Sequence, residues 1–412
     1  MLGTRPDPCF RPAPAPIEDP RILTTAWKTR HSADIAVIGA GVFGAWAALQ
    51  LRSTGRSVVL VDAFGAGNTR SSSSGESRLI RFGYGEHALY SRWAQYSAHA
   101  WQELLRDWRE DLFVRTGVLW MARANDTALD DTVRNLESLH IPFETLDRAE
   151  MERRYPQFTL GPVTRGLLEP TAGVILARRA VQSVVRQAVK RSIDYLIARV
   201  LPPPTTAGRL ESLQTNTGDT IVADSYVFAC GAWLPQIFPG LLGERIHPTR
   251  QEVFFFGPDP GDRRFTPPSM PAWIDPSGGV YGLPDIEGRG YKIGLDHHGS
   301  EFDPTTRDDR TISEEGLQVA RMILARRLPA LRDAPLLDAR VCAYSNSWNG
   351  DFLIDRHPDI ANVWLVGAGS GHGFKHGPAV GNYVASQIAG LDQPEPRLTL
   401  AAHRQQRSRQ IF

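Results

Sequence analysis

The sequence predicts an α/β protein in which one domain is assembled from separated segments and a second, mixed-sheet α+β domain fills the intervals between them. Three stretches support this prediction: a strand–helix–strand pattern at 33–64, a strand that runs into a glycine at 220–235, and a strand, glycine-rich loop and helix at 361–390. Strands connected through helices pair in parallel. The first domain should therefore hold a mostly parallel sheet flanked by helices, with a small additional sheet.

The order of these stretches sets the expected domain boundaries. The segments assigned to the first domain are 33–83, 172–246 and 335–395, and those assigned to the second are 84–171 and 247–334. A Pro-rich arm at 1–32 precedes them and is expected to be disordered, and a tail at 396–412 follows them.

The second domain should contain two helices and several strands. A helix is predicted at 86–108, and a second at 313–328, where acidic residues at the start and basic residues at the end suit the helix dipole. Strands are predicted in "TRQEVFFF", "VYGLP" and "YKIGL". "PPPTTAG" at 202–208 is expected to be a loop.

The composition is that of an ordinary globular protein. The 412 residues include 46 basic and 45 acidic side chains, and 42% are hydrophobic, so nothing indicates a nucleic-acid or membrane partner. The N-terminal stretch lacks an apolar secretory segment, and the three cysteines favour no disulfide framework. We expect a cytoplasmic monomer.

The strand–helix–strand unit carries the glycine spacing of a dinucleotide-binding turn. Gly39, Gly41 and Gly44 form G-x-G-x-x-G between "DIAVIG" and "VFGAWAALQLRS". This spacing allows a tight turn, a close approach of backbone to a pyrophosphate, and packing of the helix on the strand. Asp62 ends the second strand, where an acid accepts hydrogen bonds from a ribose. A Rossmann-like dinucleotide site is predicted, and a glycine-rich turn without a ligand is the alternative. The other residues assigned to it are Val42, Phe43 and Ala63.

A second glycine-rich loop near the end of the chain indicates which dinucleotide binds. The first fingerprint does not separate FAD from NAD. A second loop at a helix start suits the flavin and ribityl half of FAD, so FAD is the predicted cofactor. The residues assigned to that half are Gly231, Trp233, Gly369, Ser370, Gly371, His372, Gly373, Phe374 and Lys375.

Several motifs in one order make the chain resemble a known family. They are "VIGAGVFG", "SSSSGESRLIRFGYGE", "VYGLP", "YKIGLDHHG", "VCAYSNS" and "GSGHGFKHGP". In these the sequence is similar to monomeric sarcosine oxidase and the N-methyl amino acid oxidases of the D-amino-acid oxidase superfamily. The resemblance extends from about residue 33 to the end, and it implies an FAD-binding Rossmann-like domain beside a substrate domain.

The resemblance implies a covalent flavin. Cys342 lies in "VCAYSNS", the segment in which the sarcosine oxidase group attaches the 8α carbon of FAD through a thioether. The alternative is a small buried apolar residue, the commonest fate of a free cysteine. Arg78, Ser72 and Ser73 of the serine-rich motif are assigned to the cofactor as well.

The resemblance also implies a carboxylate-binding pair. Arg81 and Lys375 match the family's pair, and a guanidinium grips a carboxylate with two hydrogen bonds. A surface ion pair is the alternative for the arginine. Glu86 is a further acid expected at the pocket rim. No metal site is predicted, because His372 and His376 lack a third ligand.

Three further assignments concern catalysis. Lys292 matches the lysine that activates oxygen, although strand alternation alone does not say which face is buried. Tyr281 and Tyr344 match aromatic residues on the substrate side, and ordinary core tyrosines are the alternative. Where the family has a histidine the sequence has Asp296, so either this acid faces the substrate or a slip of one residue places His297 there.

The implied activity is FAD-dependent oxidation of the C–N bond of a secondary amino acid, N-methylated or cyclic, to the imine, with O2 reduced to hydrogen peroxide. The substrate would be a small amine that bears a carboxylate. Three alternatives remain: a biosynthetic oxidase of a cyclic imino acid or another tailored, even carrier-bound, amino acid, a dehydrogenase with another electron acceptor, and a flavoprotein with a structural role.

Overall fold

The computed structural model describes residues 30–204, 208–306 and 310–403. The predicted arm lies outside the described residues up to position 29, and its last three positions already belong to the first strand. In chain order the strands are β1 (Arg30–Ile38), β2 (Val58–Asp62), β3 (Arg78–Ile80), β4 (Phe113–Val114), β5 (Val118–Ala122), β6 (Glu144–Asp147), β7 (Arg165–Glu169), β8 (Gly173–Ile175), β9 (Asp194–Ile197), β10 (Leu213–Gln214), β11 (Thr220–Phe228), β12 (Ile246–Phe256), β13 (Ala272–Asp275), β14 (Val280–Leu283), β15 (Tyr291–Leu295), β16 (Leu336–Ser347), β17 (Leu353–Arg356) and β18 (Val363–Gly367).

The helices include both of those predicted for the second domain. In chain order they are α1 (Val42–Ser53), α2 (Ala88–Asp107), α3 (Thr127–Ser138), α4 (Arg148–Arg154), α5 (Ala177–Lys190), α6 (Leu234–Ile237), α7 (Pro239–Leu242), α8 (Glu314–Arg327) and α9 (Gly377–Ala389). At the start of α8 the Ser313 side chain accepts a hydrogen bond from the Gly316 N–H, which satisfies one of the free donors of the first turn.

A seven-stranded sheet forms the predicted cofactor domain. Its order is β17-β18-β11-β1-β2-β9, with β10 beside β11, and the five strands from β18 to β9 run parallel. Alternate residues of β1 enter different cores: Ile35 and Val37 pack with helices α1, α5 and α9, whereas Ala36 and Ile38 pack with α6 and α7. The α/β fold class predicted from the sequence is confirmed.

An eight-stranded mixed sheet forms most of the second domain. Its order is β16-β12-β15-β14-β13-β5-β7-β6, and the predicted strands in "TRQEVFFF", "VYGLP" and "YKIGL" are β12, β14 and β15. One face packs against α8 through Phe254, Tyr291 and Leu324. A three-stranded sheet of order β3-β8-β4 is the small additional sheet.

Two elements make contacts across the predicted domain boundaries. Strand β16 was assigned to the cofactor segment that begins at 335, but it pairs antiparallel with β12 along its length, from Ile246 opposite Ser347 to Phe256 opposite Leu336. Helix α2 was assigned to the substrate segment, but its Trp101 donates a hydrogen bond to the Lys375 carbonyl and its Ser97 accepts one from the Ala379 N–H. These long-range contacts join the two domains; the remaining boundaries stay a proposal.

Candidate active site

A cavity of about 810 Å3 opens at the carboxyl ends of the parallel strands. Crevices at this edge of an open α/β sheet are where such folds bind ligands. The predicted residues that line it are Gly39, Gly41, Val42, Phe43, Asp62, Ala63, Ser72, Ser73, Arg78, Gly231, Trp233, Tyr344, Gly369, Gly371, Gly373 and Phe374. The structure therefore brings both glycine-rich loops to one cavity.

The turn between β1 and α1 can be built only with glycine. Gly39 has φ +106°, and a Cβ added there would lie 2.4 Å from the Ala229 carbonyl oxygen. A Cβ on Gly44 would lie 1.8 Å from the carbonyl oxygen of Gly39. Asp62 accepts hydrogen bonds from the N–H groups of Ala40 and Phe64 at 2.8 and 2.9 Å, so its carboxylate fixes this turn, and burial raises its pKa.

The residues present fit a dinucleotide. The first turn of α1 begins at Val42 beside the cavity, and the Val42 N–H donates to the Ser73 hydroxyl at 2.9 Å. The Ser72 hydroxyl also lines the cavity, is buried, and has no hydrogen-bond partner among the described residues. An orphan hydroxyl and a helix start are what phosphate and sugar groups would satisfy.

Sequence reasoning missed part of the cavity wall. Ala198, Val200 and Asn216 follow or flank β9 and β10, and Gln236 lies on α6. These residues have no motif of their own, because only the strand order of the sheet places them beside Asp62.

Four predicted residues share one face of the eight-stranded sheet. The register pairs Cys342 with Gln251 and Tyr344 with Thr249 across β16 and β12, and Lys292 with Phe255 across β15 and β12. Tyr281 of β14 lies opposite Gly294, two positions after Lys292 on the same face. We call Lys292, Tyr281, Tyr344 and Cys342 the shared face.

Lys292 is buried, which settles the question that alternation left open. Its side chain is 2% exposed and its Nζ donates to the Ser77 carbonyl at 2.9 Å. Burial, together with the nearby charge of Arg78, lowers the pKa of Lys292 to about 7. The amine therefore titrates near neutral pH.

Cys342 lies beside Arg78 and next in the chain to Ala343 of the cavity wall, but it does not itself line the cavity. Its side chain is buried against Val253 and Phe255, and its Sγ is 3.9 Å from Nη2 of Arg78. Arg78 also donates to the carbonyls of Ser72, Ser74 and Ser77, which holds the serine-rich loop against the shared face.

Arg81 and Lys375, the cationic pair, are both buried. The Arg81 guanidinium lies over the rings of Tyr84 and Trp120, 4.3 and 4.9 Å from their centroids, and donates to the Gly83 carbonyl. The Lys375 Nζ donates to the Tyr84 hydroxyl at 2.8 Å and to the His372 carbonyl at 3.0 Å. Burial, and then the charge of Arg81, hold the pKa of Lys375 well below its usual range.

Tyr84 joins the cationic pair to two histidines, and sequence reasoning missed it. Its hydroxyl lies 3.1 Å from Nδ1 of His372 and 2.8 Å from Nε2 of His376. Nε2 of His372 is 3.0 Å from the Gly350 carbonyl and must donate to it, so a neutral His372 accepts from Tyr84 at Nδ1. Burial holds the pKa of both histidines well below the usual range, in keeping with neutral rings.

His372 and Ser370 were assigned to the cofactor but do not line the cavity. The His372 ring points instead at Tyr84 and the Gly350 carbonyl. The Ser370 hydroxyl is occupied by the Ala368 carbonyl and the Ser347 N–H. Both side chains therefore form hydrogen bonds within the protein, which stabilise the conformation of the loop.

Asp296, not His297, lies on the side of the shared face. It directly follows β15 and lies four residues after Lys292, so the alternation of the strand places both on the same side. Asp296 interacts electrostatically with Arg81 and Lys375, whereas His297 is exposed. Burial raises the pKa of this half-buried carboxyl, and the two cations act in the opposite direction. Glu86 is exposed just before α2, so the structure does not bring it to the site.

The two tyrosines of the shared face contact each other. Tyr281 and Tyr344 interact electrostatically with each other, and burial raises the pKa of both. A Cβ on Gly371 would lie 2.6 Å from the Tyr344 ring, so the second glycine-rich loop passes directly over it. Within the described ranges, no three His, Cys, Asp or Glu side chains are grouped to hold a metal, and no helix is long and apolar enough to cross a membrane.

A cavity with a dinucleotide-binding turn at the carboxyl ends of a parallel sheet, with Tyr344 of a second sheet in its wall and buried basic side chains nearby, is typical of a dinucleotide-dependent oxidoreductase of two domains. Residues 34–387 match the family model DAO, described as FAD dependent oxidoreductase. The chain therefore belongs to this family and is an FAD-dependent oxidoreductase.

Known proteins extend this similarity over most of the chain. Monomeric sarcosine oxidase of Bacillus sp. (strain B-0618) is 29% identical over 86% of this chain and 92% of its own length. N-methyl-L-tryptophan oxidase of Yersinia pestis is 26% identical over 88% and 96%. The structure of L-proline dehydrogenase from P. horikoshii matches with a TM-score of 0.76 and 21% identity, over 89% of this chain and 96% of that one.

Proposed function

We propose that the protein oxidises the C–N bond of a secondary amino acid, N-methylated or cyclic, to the imine, with O2 as the final electron acceptor. The observation that carries this proposal is the buried cationic pair beside Asp296, next to the shared face. The sarcosine and N-methyltryptophan oxidases similar to this chain act on substrates of the same kind. FAD, when bound, takes two electrons from the substrate and passes them to O2, which gives hydrogen peroxide.

The cationic pair would bind the substrate carboxylate. Arg81 is 5% exposed and Lys375 is 4% exposed, so water competes weakly for a bound anion. The guanidinium can offer two parallel N–H donors, and the ring of Tyr84 beneath it limits its rotation. Together they would hold an amino acid by its one invariant anionic group.

Asp296 would face the amine of the same substrate. A carboxyl whose pKa is raised by burial can accept the proton that the substrate ammonium must lose before a C–N bond is oxidised. A zwitterion would thus meet cations at one end and an acid at the other. Tyr281 and Tyr344 would supply aromatic walls between these ends.

Cys342 and Lys292 would act on the flavin side of the shared face. Cys342 would hold FAD through a thioether to its 8α carbon: the S–H bond of the cysteine and one C–H bond of the methyl group would break, the S–C bond would form, and the two protons and two electrons would reduce O2 to hydrogen peroxide. Lys292, 2% exposed and protonated below about pH 7, would stabilise negative charge that develops on O2.

The experiment is a peroxide assay of the purified yellow protein with sarcosine, proline, pipecolate, N-methyltryptophan and primary L- and D-amino acids. We expect peroxide from a secondary amino acid, and a KM at least about 100-fold higher after Arg81→Ala, since a desolvated charged hydrogen bond is lost. Arg92→Ala, at an exposed position of α2, is the matched control.

Two results would contradict this proposal. An unchanged KM in Arg81→Ala would remove the carboxylate anchor. Substrate-dependent bleaching of the flavin without peroxide would identify a dehydrogenase that uses another acceptor. The cytoplasmic location and the monomeric state stay predictions from the sequence.

A further inference from the structure

Glu169 is a fully buried carboxylate to which the sequence analysis gave no role. It ends β7 and is 0% exposed. Its Oε2 accepts from the Phe82 N–H at 2.6 Å, and its Oε1 accepts from the Gly83 N–H at 2.8 Å and from Nε1 of Trp120 at 2.7 Å. Three donors on two oxygens suit the ionised form, because a protonated carboxyl would present a donor to another donor.

The three donors surround the Arg81 side chain. Phe82 and Gly83 continue the backbone directly after Arg81, and the indole of Trp120 lies beneath its guanidinium. The Gly83 carbonyl also accepts from Arg81. Glu169 therefore fixes both the chain that carries the guanidinium and the ring on which it rests.

The Gly83 backbone is packed tightly against Glu169 and Trp120. A Cβ on Gly83 would lie 3.0 Å from Oε1 of Glu169 and 3.0 Å from Cζ2 of Trp120. Burial raises the pKa of Glu169, while its three hydrogen bonds and the charge of Arg81 act against that rise. The carboxylate also interacts with the charge of Lys375, so one buried anion faces both members of the cationic pair.

We propose that Glu169 is a positioning residue for substrate binding: through Phe82, Gly83 and Trp120 it holds the Arg81 guanidinium in the orientation that takes the substrate carboxylate. This inference rests on the proposed function, because it assigns Arg81 the carboxylate. A carboxylate that served only the stability of the fold would not act through Arg81.

The test is a double-mutant cycle on the flavin-containing protein with the best substrate of the peroxide assay. Glu169→Gln keeps the volume but turns an N–H donor toward one of the three donors. We expect it to raise KM by about 10- to 100-fold, with a smaller change in kcat. Combined with Arg81→Lys it should add little further, because the same interaction is already lost. Glu137→Gln, at an exposed position of α3, is the matched control.

Trp120→Phe is the second variant, for use if Glu169→Gln does not fold. It keeps an aromatic ring under Arg81 and removes one donor to Glu169, so we expect a KM about two- to tenfold above that of the wild type. An unchanged KM in the variant that folds, or an equal rise in the Arg81→Lys background, would overturn the proposal.

A crystal structure of the Glu169→Gln holoenzyme separates this inference from the proposed function. If the wild type oxidises no carboxylated amine, the proposed function is wrong. The position of the Arg81 guanidinium in the variant structure then tests, by itself, whether Glu169 positions Arg81. We expect the guanidinium to leave the Trp120 ring and the Gly83 carbonyl. A guanidinium in its original place would overturn the proposal.

Discussion

The two ends of the site are built by different means. Around Gly39, Gly41 and Asp62, the nucleotide end of the cavity is made by backbone within one strand–helix–strand unit. The proposed substrate end is made by side chains that come from distant parts of the chain, such as Arg81 after β3 and Lys375 before α9. The first end depends on local geometry, whereas the second depends on the register of a large sheet and on contacts between domains.

The hydrogen bonding of buried polar groups also differs between the two ends. At the nucleotide end the Ser72 hydroxyl is left without a partner among the described residues, as expected where a ligand completes the site. At the substrate end, the Tyr84 hydroxyl joins Lys375, His372 and His376 in one hydrogen-bonded cluster, in which Nδ1 of His376 has no partner among the described residues. A hydrogen-bonded network of this kind holds charged groups in place in a buried environment. Replacement of any one residue therefore disturbs the others.

The largest effect should come from the backbone of the nucleotide end. Gly39→Ala combines a left-handed φ with a Cβ 2.4 Å from the Ala229 oxygen, so we expect complete loss of bound flavin, measured by visible absorbance of the purified protein. Gly55→Ala is the matched control, since its φ is +89° but nothing lies within 4 Å; it should cost about 1–2 kcal/mol of stability and keep the flavin. Full flavin content in Gly39→Ala would refute the role given to this turn.

Cys342→Ser should abolish covalent attachment of the flavin without changing the shape of the cavity. The wild type should keep its yellow colour on the protein after acid denaturation, and the variant should release all of it, because only the thioether is missing. Cys230→Ser is the control, since that cysteine lines the cavity at the start of the 231–233 turn. A wild type that releases its flavin in acid would exclude the tether.

Lys375→Met should weaken the substrate end alone. We expect a KM increase of about 10- to 100-fold for a carboxylated amine, with flavin content unchanged, because the lost charge lies outside the cavity wall. Lys190→Met, on the exposed end of α5, provides the comparison. Loss of flavin together with substrate affinity would mean that the two ends are not separate.

Lys292 should have an effect that is visible in the pH dependence of stability. Its folded pKa is about 7 and its ordinary value is 10.5, so between these values the unfolded chain holds a proton that the folded chain lacks. The free energy of unfolding of the wild-type apoprotein should therefore rise with pH in this window relative to Lys292→Met, by a few kcal/mol in all. Denaturant titrations at pH 7 and pH 10 measure it, and parallel curves would contradict the burial of a neutral amine.

The sequence could predict the local features of the molecule but not the contacts between distant segments. The α/β class, helices α2 and α8 and strands β12, β14 and β15 follow from short patterns and are confirmed. The FAD-dependent family could be predicted because its glycines and Asp62 occur in one strand–helix–strand unit. The family match confirms it. The pairing of strand β16 with β12 was not predicted, because β12 lies about 90 residues earlier in the chain.

The residues that sequence reasoning missed have no pattern of their own. Glu169 stands at the end of the apolar run "RGLLEP", where a charged residue is unusual, and that is the signal that could have revealed it. Tyr84 has no recognisable pattern in the sequence, and only the fold brings its hydroxyl to Lys375 and His376. Glu86 lies in the same motif as Arg81, yet its position just before α2 leaves it exposed.

The most direct test of the account is an anaerobic titration of the yellow protein with a secondary amino acid and with the same amine lacking its carboxylate. The account predicts full bleaching of the flavin absorbance by the amino acid at low concentration and little or none by the decarboxylated amine, because Arg81 and Lys375 then have no anion to bind. Equal bleaching by both compounds would contradict the central claim that these two buried cations select the substrate.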